Sequence, residues 1–398
     1  MRLSTSNSYS TALESLVERQ ARLAGTQEQL TTGKRVNHAS DDPAAAARSE
    51  RALASERRTV ASQRAVEASS NAMTLTEGAL GDAGTLLQSA REALVAAGNA
   101  TYSDAERKGV ANQLRDLREQ LFSVANRTDG SGTYLFGGQG STQAPFADLP
   151  GGVQFQGTSG QVQAASGEAL PLTMDGEATW MQARTGNGVF ETQVGASAGS
   201  AVIDAGKVID PSLLTGSTYL LQFSVVGSAT TYSVLRDGLP TAQTNLTFAP
   251  GQAIQIDGMS ATITGAPANG DSFALAPSTS DLSVFDALDQ AIADLQTPGR
   301  RSTQIAQGNA FALTRLDSVL GQVTAGRSQV GALMNRVDAV ADRLSALKLS
   351  SQTERSNAED LDMTQAISDF SNQQTGYDAA LKAYSMVQRL SLFNYINT

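Results

Sequence analysis

The residues able to do chemistry in this sequence are few and poorly assembled. There is one histidine, His38, shortly before Asp41-Asp42-Pro43. A metal centre needs further nitrogen or carboxylate ligands close by, and adjacent aspartates do not easily converge on one ion. Asp42 instead suits the cap of a helix with Pro43 at its first position, and His38 suits an exposed loop. A single histidine also excludes the paired-histidine zinc-protease motif. There is no cysteine, so disulfides, thiolate nucleophiles and cysteine metal sites are excluded.

The carboxylates offer little more. Asp360 and Asp362 would lie on the solvated face of a polar amphipathic helix. Asp204, Asp210, Asp237, Asp257 and Asp271 mostly stand beside Gly or Pro, as turn residues do. Gly137-Gly138-Gln139-Gly140 lacks the following Lys-Ser and helix start of a phosphate cradle, so a hairpin turn is expected there. No catalytic, metal or cofactor-binding residue is expected, and the chain reads as a non-enzyme without cofactors.

The elements that carry these residues are legible from spacing. In the first helix Tyr9, Leu16, Leu23 and Leu30 recur every seven residues, with Leu13 between the first two. Gln20 and Gln27 dilute this heptad seam, so the helix needs partners. Gly33 suits a left-handed helix end, and Lys34 and Arg35 suit the carboxyl end of the helix dipole. A second helix is expected over 43–97, with Val66, Met73, Leu80, Leu87 and Leu94 in one line and Ala83, Ala90 and Ala97 beside them. Gly78, Gly81 and Gly84 weaken it and suggest a bend or tight contact. A third helix, about 103–126, carries Val110, Leu114, Leu117, Leu121 and Val124 and pairs with the second as a hairpin.

The middle differs in kind. Residues 151–283 contain only three basic residues, Arg184, Lys207 and Arg236, among many Gly, Thr, Ser and Val. Tyr219, Leu221, Phe223 and Val225 alternate as in a half-buried strand, and Asp257-Gly258 reads as a tight hairpin turn. Helices return with Phe285, Leu288, Ile292 and Leu295. A long heptad run follows: Leu316, Val323, Val330, Val337 and Leu344, with Val319, Leu333, Val340 and Leu347 as a second seam and Gly326 as its gap. The last helix, about 357–393, repeats Met363, Phe370, Tyr377 and Tyr384, widened by Ile367, Leu381 and Val387 and diluted by Gln374 and Gln388.

The expected fold class is α+β: long terminal and core helices in a coiled-coil-like bundle, with an inserted mainly β domain. Residues 1–42 with 357–398 form a terminal assembly domain. Residues 43–150 with 282–356 form a helical core with a β-hairpin, and 151–281 form the outward-facing insert. Of the 398 residues, 17% are charged, below the ~25% usual for soluble domains. Such a surface suits close packing of like subunits, because few ions lose water. A net charge of −10 without basic clusters argues against a nucleic-acid partner. No run approaches the ~20 apolar residues of a membrane span, and the N-terminus lacks a signal-peptide pattern.

The ends also carry a resemblance. Leu30-Thr31-Thr32-Gly33-Lys34-Arg35-Val36-Asn37, followed by Asp41-Asp42-Pro43, is similar to the N-terminal signature of bacterial flagellins and hook-associated proteins. Met1-Arg2-Leu3-Ser4-Thr5 and Gly132-Thr133-Tyr134-Leu135-Phe136-Gly137-Gly138 resemble the junction-type hook-associated subunits. So do Ala366-Ile367-Ser368-Asp369-Phe370, Gln373-Gln374-Thr375 and the close from Arg389 through Leu390, Leu392, Phe393 and Tyr395 to Ile396. Pro267–Phe273 is similar to a segment of hook-associated outer domains. The nearest rival in the family is filament flagellin, which usually ends near a Leu-Ser-Leu-Leu run.

The resemblance implies a structural role outside the cell. The subunit would be exported unfolded through the flagellum's own channel, without a cleaved signal peptide, after a cytoplasmic chaperone holds its C-terminal helix. Copies would form a ring at the hook–filament junction, between a neighbouring hook-associated junction protein and flagellin. Tyr9, Leu13, Leu16, Leu23, Leu30, Met363, Ile367, Phe370, Tyr377, Leu381, Tyr384 and Val387 would form the assembly seam. Gly33, Lys34, Arg35, Asn37, Asp41, Asp42 and Pro43 form the connector motif.

Overall fold

The computed structural model describes residues 5–99, 101–140, 143–164 and 168–396, with the side chains of 5–9 and 387–396 outside the description. Tyr9, Val387, Leu390, Leu392, Phe393, Tyr395 and Ile396 therefore lie outside the described side chains, as does the opening Met1–Ser4.

Three helices open the chain: α1 (Thr5–Thr32), α2 (Pro43–Ala97) and α3 (Asp104–Ala125). Their ends have local causes. Gly33 takes φ +70° and donates to Gln29 O, closing α1. Asp42 Oδ1 accepts from Ala44 and Ala45 N–H, capping α2. Ser103 and Glu106 form a reciprocal capping box on α3.

Short elements follow: β1 (Phe146–Leu149), β2 (Gly152–Phe155), α4 (Gly176–Trp180), β3 (Phe190–Val194), β4 (Val202–Ile203), β5 (Lys207–Val208), β6 (Tyr219–Val226) and β7 (Ala229–Arg236). Then come β8 (Leu239–Pro240), β9 (Leu246–Thr247), β10 (Ala253–Ile256), β11 (Met259–Thr264) and β12 (Ser272–Pro277). The chain returns to helix in α5 (Val284–Gln296), α6 (Ser302–Glu359) and α7 (Met363–Ile396).

β1 pairs with β2 alone. A six-stranded antiparallel sheet runs β3-β12-β6-β7-β8, with β9 also on β7. A smaller antiparallel sheet runs β10-β11-β4, with β5 on β11. The Asp257-Gly258 turn joins Ile256 to Met259, with φ of +39° and +82° at its two central residues. That is the twist-matched two-residue hairpin expected from the sequence. Tyr219, Leu221 and Phe223 of β6 are buried on one face.

The contacts divide the chain into two compact units, residues 1–64 with 340–398 and residues 65–339. The second unit holds two apolar clusters. One packs α2, α3, α5 and α6 against β1, β2 and Trp180, with Leu80, Leu87, Leu114, Leu121, Phe285 and Val319 fully buried. Trp180 stacks on Phe285 at 6.1 Å and meets Phe136 edge-on. Arg118 joins α3 to β1 and α5, bonding Asp148 at 2.7 Å and lying 2.6 Å from Asp289. These carboxylates raise its already high pKa. The other cluster draws side chains from both larger sheets, around Phe190, Tyr219, Phe223, Ile263 and Phe273. Phe146, Val153, Met174, Trp180 and Ala183 thus pack with the helical core, and the second cluster begins at Phe190.

Three expectations are corrected. Gly137–Gly140 is not a hairpin turn: Gly137 bridges Asp175, and Gly138 bridges Thr158. A Cβ on Gly138 would lie 1.8 Å from Thr158 O, so glycine is needed because two backbones meet there. The last helix does not begin at Asn357. α6 continues to Glu359, and the chain breaks at 360–362 because Leu361 N–H bonds Gly33 O instead of a helical acceptor. Asp362 then caps α7 through Thr364 and Gln365 N–H, so Asp360 and Asp362 are joint residues and not a solvated helix face. Finally, Gly78, Gly81 and Gly84 make no tight contact: a Cβ would meet nothing within 4 Å at Gly78 or Gly84 and only the Arg327 guanidinium at Gly81.

Candidate assembly surface

The first compact unit contains the two terminal helices. α1 and α7 run antiparallel: Lys34 pairs with Asp360, Thr26 Oγ1 donates to Gln373 Oε1 at 3.0 Å, and Arg19 lies beside Gly376. The apolar residues of the pair fall into two sets. Leu16 and Ala366 are buried, and Leu23, Leu30, Phe370, Tyr377 and Tyr384 are half-buried. Leu13 is 53% exposed, Ile367 57% and Met386 60%; Val17, Met363 and Leu381 are exposed as well. A helix with apolar residues on one stripe can cover them with one partner. Here a second stripe remains on a helix pair that already has its partner.

The same unit joins α2 to the last part of α6 through small residues. Ala45, Ser49, Ala52 and Thr59 are buried on α2, and Ser351 and Ala358 on α6. Ser351 Oγ bonds Ser55 Oγ, and Gln352 Nε2 bonds Glu56 Oε1 at 2.8 Å. Small side chains let the backbones come close enough for these short polar contacts.

The connector motif gathers at one place. Gly33 and Arg35 exchange backbone bonds with the α6–α7 link: Arg35 N to Glu359 O at 2.6 Å, and Leu361 N to Gly33 O at 3.0 Å. The Arg35 guanidinium reaches Ala358 O at 2.9 Å and Asp42 Oδ2 at 3.2 Å. Lys34 Nζ is 3.3 Å from Glu359 Oε1, and Ser49 Oγ donates to Glu359 Oε2 at 2.6 Å. Asp41 accepts from the N–H groups of His38 and Asn37, which hold its carboxyl below its usual range. The Ala45 N–H, and then Arg35, do the same for Asp42. Pro43 stands at the first position of α2.

Five of the seven motif residues thus make named side-chain or backbone bonds at this joint, Lys34 adds its ion pair, and Pro43 starts the helix that leaves it. Sequence reasoning missed Glu359 because it was placed inside the last helix; its position at a helix end, three residues before a capping Asp362, was the available signal.

The aspartates of the insert are taken up by hydrogen bonds, most of them from backbone N–H groups. Asp204 Oδ1 accepts from Gly206 and Thr262 N–H, Asp210 Oδ1 from Ser212, and Asp237 Oδ1 from Thr218 N–H. Asp257 accepts the Tyr219 hydroxyl at 2.6 Å. Asp271, buried, accepts from Ala198, Gly199 and Ala268 N–H. On the other side of that loop Arg301 donates to the carbonyls of Ser197, Ala198 and Gly199. His38 is exposed, 4.0 Å from the Glu28 and Asp41 carboxylates. Among the described residues no three His, Asp or Glu side chains cluster as a metal site would need.

Comparison with known proteins accounts for this arrangement. Residues 3–141 match the bacterial flagellin N-terminal helical region, and 313–396 match the bacterial flagellin C-terminal helical region. The chain is 27% identical over 398 residues to flagellar hook-associated protein 3 of Escherichia coli K12, covering 99% of each. It is similar to the crystal structure of Xanthomonas campestris FlgL, with TM-score 0.69 and 28% identity over 77% of this chain and 99% of that one. It is also similar to the flagellar junction protein FlgL of Legionella pneumophila, with TM-score 0.63 and 28% identity over 70% of this chain and 94% of that one. With both terminal regions matched and the whole length shared, this chain belongs to the bacterial flagellin and hook-associated protein family.

Proposed function

We propose that the chain is a non-catalytic structural subunit of the flagellum that forms the ring joining hook to filament. The observation that carries this reading is the end-to-end match with hook-associated protein 3, which includes the middle of the chain and not the helical ends alone. The structure supports it with an apolar stripe left exposed on a helix pair and with carboxylates spent on backbone.

In this reading Leu13, Met363, Ile367 and Leu381 meet neighbouring copies, while Leu16, Leu23, Leu30, Phe370, Tyr377 and Tyr384 hold the pair together. The terminal part is 1–42 with 357–398. We draw the inner edge of the outward-facing insert after Ala183 and not at residue 151, because Trp180 and Ala183 pack with the helical cluster. The ring sits outside the cell between a second hook-associated junction protein and flagellin. A cytoplasmic chaperone holds the C-terminal helix until export through the flagellar channel.

Deletion of the gene is the direct test. Cells that build hooks but release flagellin into the medium support the junction role. Cells that retain the junction and lack only bulk filament protein make the chain a filament flagellin instead.

A further inference from the structure

We propose that Arg301 and Gln307, at the amino end of α6, latch the insert to the helical core, so that the insert turns with α6 as one body. A domain inserted through two chain crossings ordinarily moves against its host unless a large apolar interface holds it. The crossings here, 183–189 and 278–283, bond to each other: Ala183 pairs with Leu282, and Ser278 N–H donates to Val189 O. They make one narrow ribbon, about which the part built on the second apolar cluster could tilt.

α6 supplies a second attachment. The Arg301 guanidinium donates to Ser197 O at 2.7 Å, Ala198 O at 2.6 Å and Gly199 O at 2.9 Å. Across the same loop the Asp271 carboxylate accepts from Ala198 N–H at 2.6 Å and Gly199 N–H at 2.9 Å. Two successive peptide groups, 197–198 and 198–199, thus turn N–H to the acid and C=O to the base. Their dipoles lie along the field between the two charges, and each bond strengthens the next. Asp271 is 1% exposed, so its charge needs compensation. Ala268 N–H gives a third bond, and Arg301 adds positive charge across the two peptides. Gly199 is required in this loop, because a Cβ would stand 2.4 Å from Ala266 O.

Further along α6 the buried Gln307 amide accepts from Ile203 N–H at 2.7 Å and donates to Ile203 O at 2.8 Å. One side chain that takes both backbone groups of a residue fixes position and direction together. Its loss leaves two buried polar groups unpaired. Arg315 adds an ion pair to Glu191 at 3.4 Å. Apolar packing contributes little. Among the described residues Phe311 is the one α6 side chain that packs on the second cluster, and a cleft of about 670 Å³ is lined by β3 and α6. The polar bonds therefore set the angle.

The chain has no cysteine, so two introduced ones take nitroxide labels without interference. Ala229→Cys on β7 and Ala325→Cys on α6 are both at exposed positions away from the latch. In the full-length chain, double electron–electron resonance between them is expected to give one narrow distance distribution. Arg301→Met with Gln307→Ala is expected to broaden it about twofold or more, as release of a tethered domain does. Each change alone broadens it less. Arg301→Lys, a point donor in place of a fork, falls between Arg301→Met and the unchanged side chain.

Amide protection at Leu221 in β6 and Val234 in β7 is expected to persist, which separates release of the insert from its unfolding. If the double variant loses that protection, Arg301→Lys decides. A broad distribution in the unchanged chain, or the same width in every variant that keeps its protection, overturns the proposal. Both readouts are independent of the junction role.

Discussion

Asp42 combines two jobs that are usually separate. It caps α2 and pairs with Arg35, tying the start of a 55-residue helix to the joint. Loss of a cap costs about 1 kcal/mol. Asp42→Ala is therefore expected to speed hydrogen exchange at the Ala44 and Ala45 amides several-fold, while the amides of α3 exchange as before. The carboxyls of Asp41 and Asp42 both titrate below their ordinary value of 3.8 in the folded chain. A carboxyl whose folded pKa is depressed stabilises fully above its unfolded pKa, and that contribution disappears as pH falls through the folded one. The joint is thus expected to hold unchanged from neutral pH down to about 5 and to loosen below about 4. Amide exchange at Asn37 and His38, followed from pH 5 to 2, measures this; protection that persists at pH 2 contradicts it. Gly138 shows a different kind of constraint. Gly138→Ala forces Thr158 away and strains a φ of +64°, so the second unit is expected to melt several degrees lower.

The long helices work through seams whose members lie every third, fourth or seventh residue. Val66, Met73, Leu80, Leu87 and Leu94 of α2 are all buried, as are Leu316, Val319, Val323, Val330 and Val337 of α6. Truncation at such a site removes transfer energy and leaves a cavity. Leu87→Ala is expected to destabilise the second unit by about 2–5 kcal/mol in a denaturant titration. The gap in the α6 seam at Gly326 has a use that spacing did not reveal. The Thr179 methyl fills it, so that a Cβ there would stand 3.3 Å away. Gly326→Val is expected to lower stability by about 1–3 kcal/mol through overpacking, whereas Gly321→Ala, with open space around it, raises it slightly. On the insert, Pro240 and the two-residue strands β8 and β9 blunt the sheet edge beside β7.

For the molecule as a whole, charge and apolar exposure are distributed in opposite ways. Residues 1–64 and 340–398 hold 15 Lys and Arg against 14 Asp and Glu, leaving 14 against 25 in 65–339. The near-neutral unit is the one with the exposed apolar stripe, so copies can approach there without strong like-charge repulsion. Leu13→Ser with Ile367→Ser is expected to leave monomer stability within about 0.5 kcal/mol, because neither side chain is buried in the chain itself. The same pair is expected to abolish incorporation into flagella, read by motility and by flagellin shed into the medium. Limited proteolysis of the monomer is expected to cut first within about the first 30 and last 40 residues, as loosely held termini do. Ends as resistant as the α2–α6 seam would contradict the need for partners read from the diluted heptads.

Much of this was determined by sequence alone, because periodicity and caps are local. The end of α1, the limits of α2 and α3, the α2 and α6 seams and the Asp257-Gly258 hairpin all follow from residue types at fixed spacing. The family followed from short motifs in order. Tertiary structure decided what depends on segments far apart in the chain. Asp362 is a local cap signal, but the break at 360 is stabilised by Gly33 and Arg35 more than three hundred positions away, which no local rule supplies. Gly137–Gly138 looked like a turn because glycine permits turns; only the crossing with Thr158 showed that it was needed for close approach. The division of the apolar stripe into an inner and an exposed set likewise required the antiparallel pair, because a heptad pattern records which residues share a face and not which face is already covered.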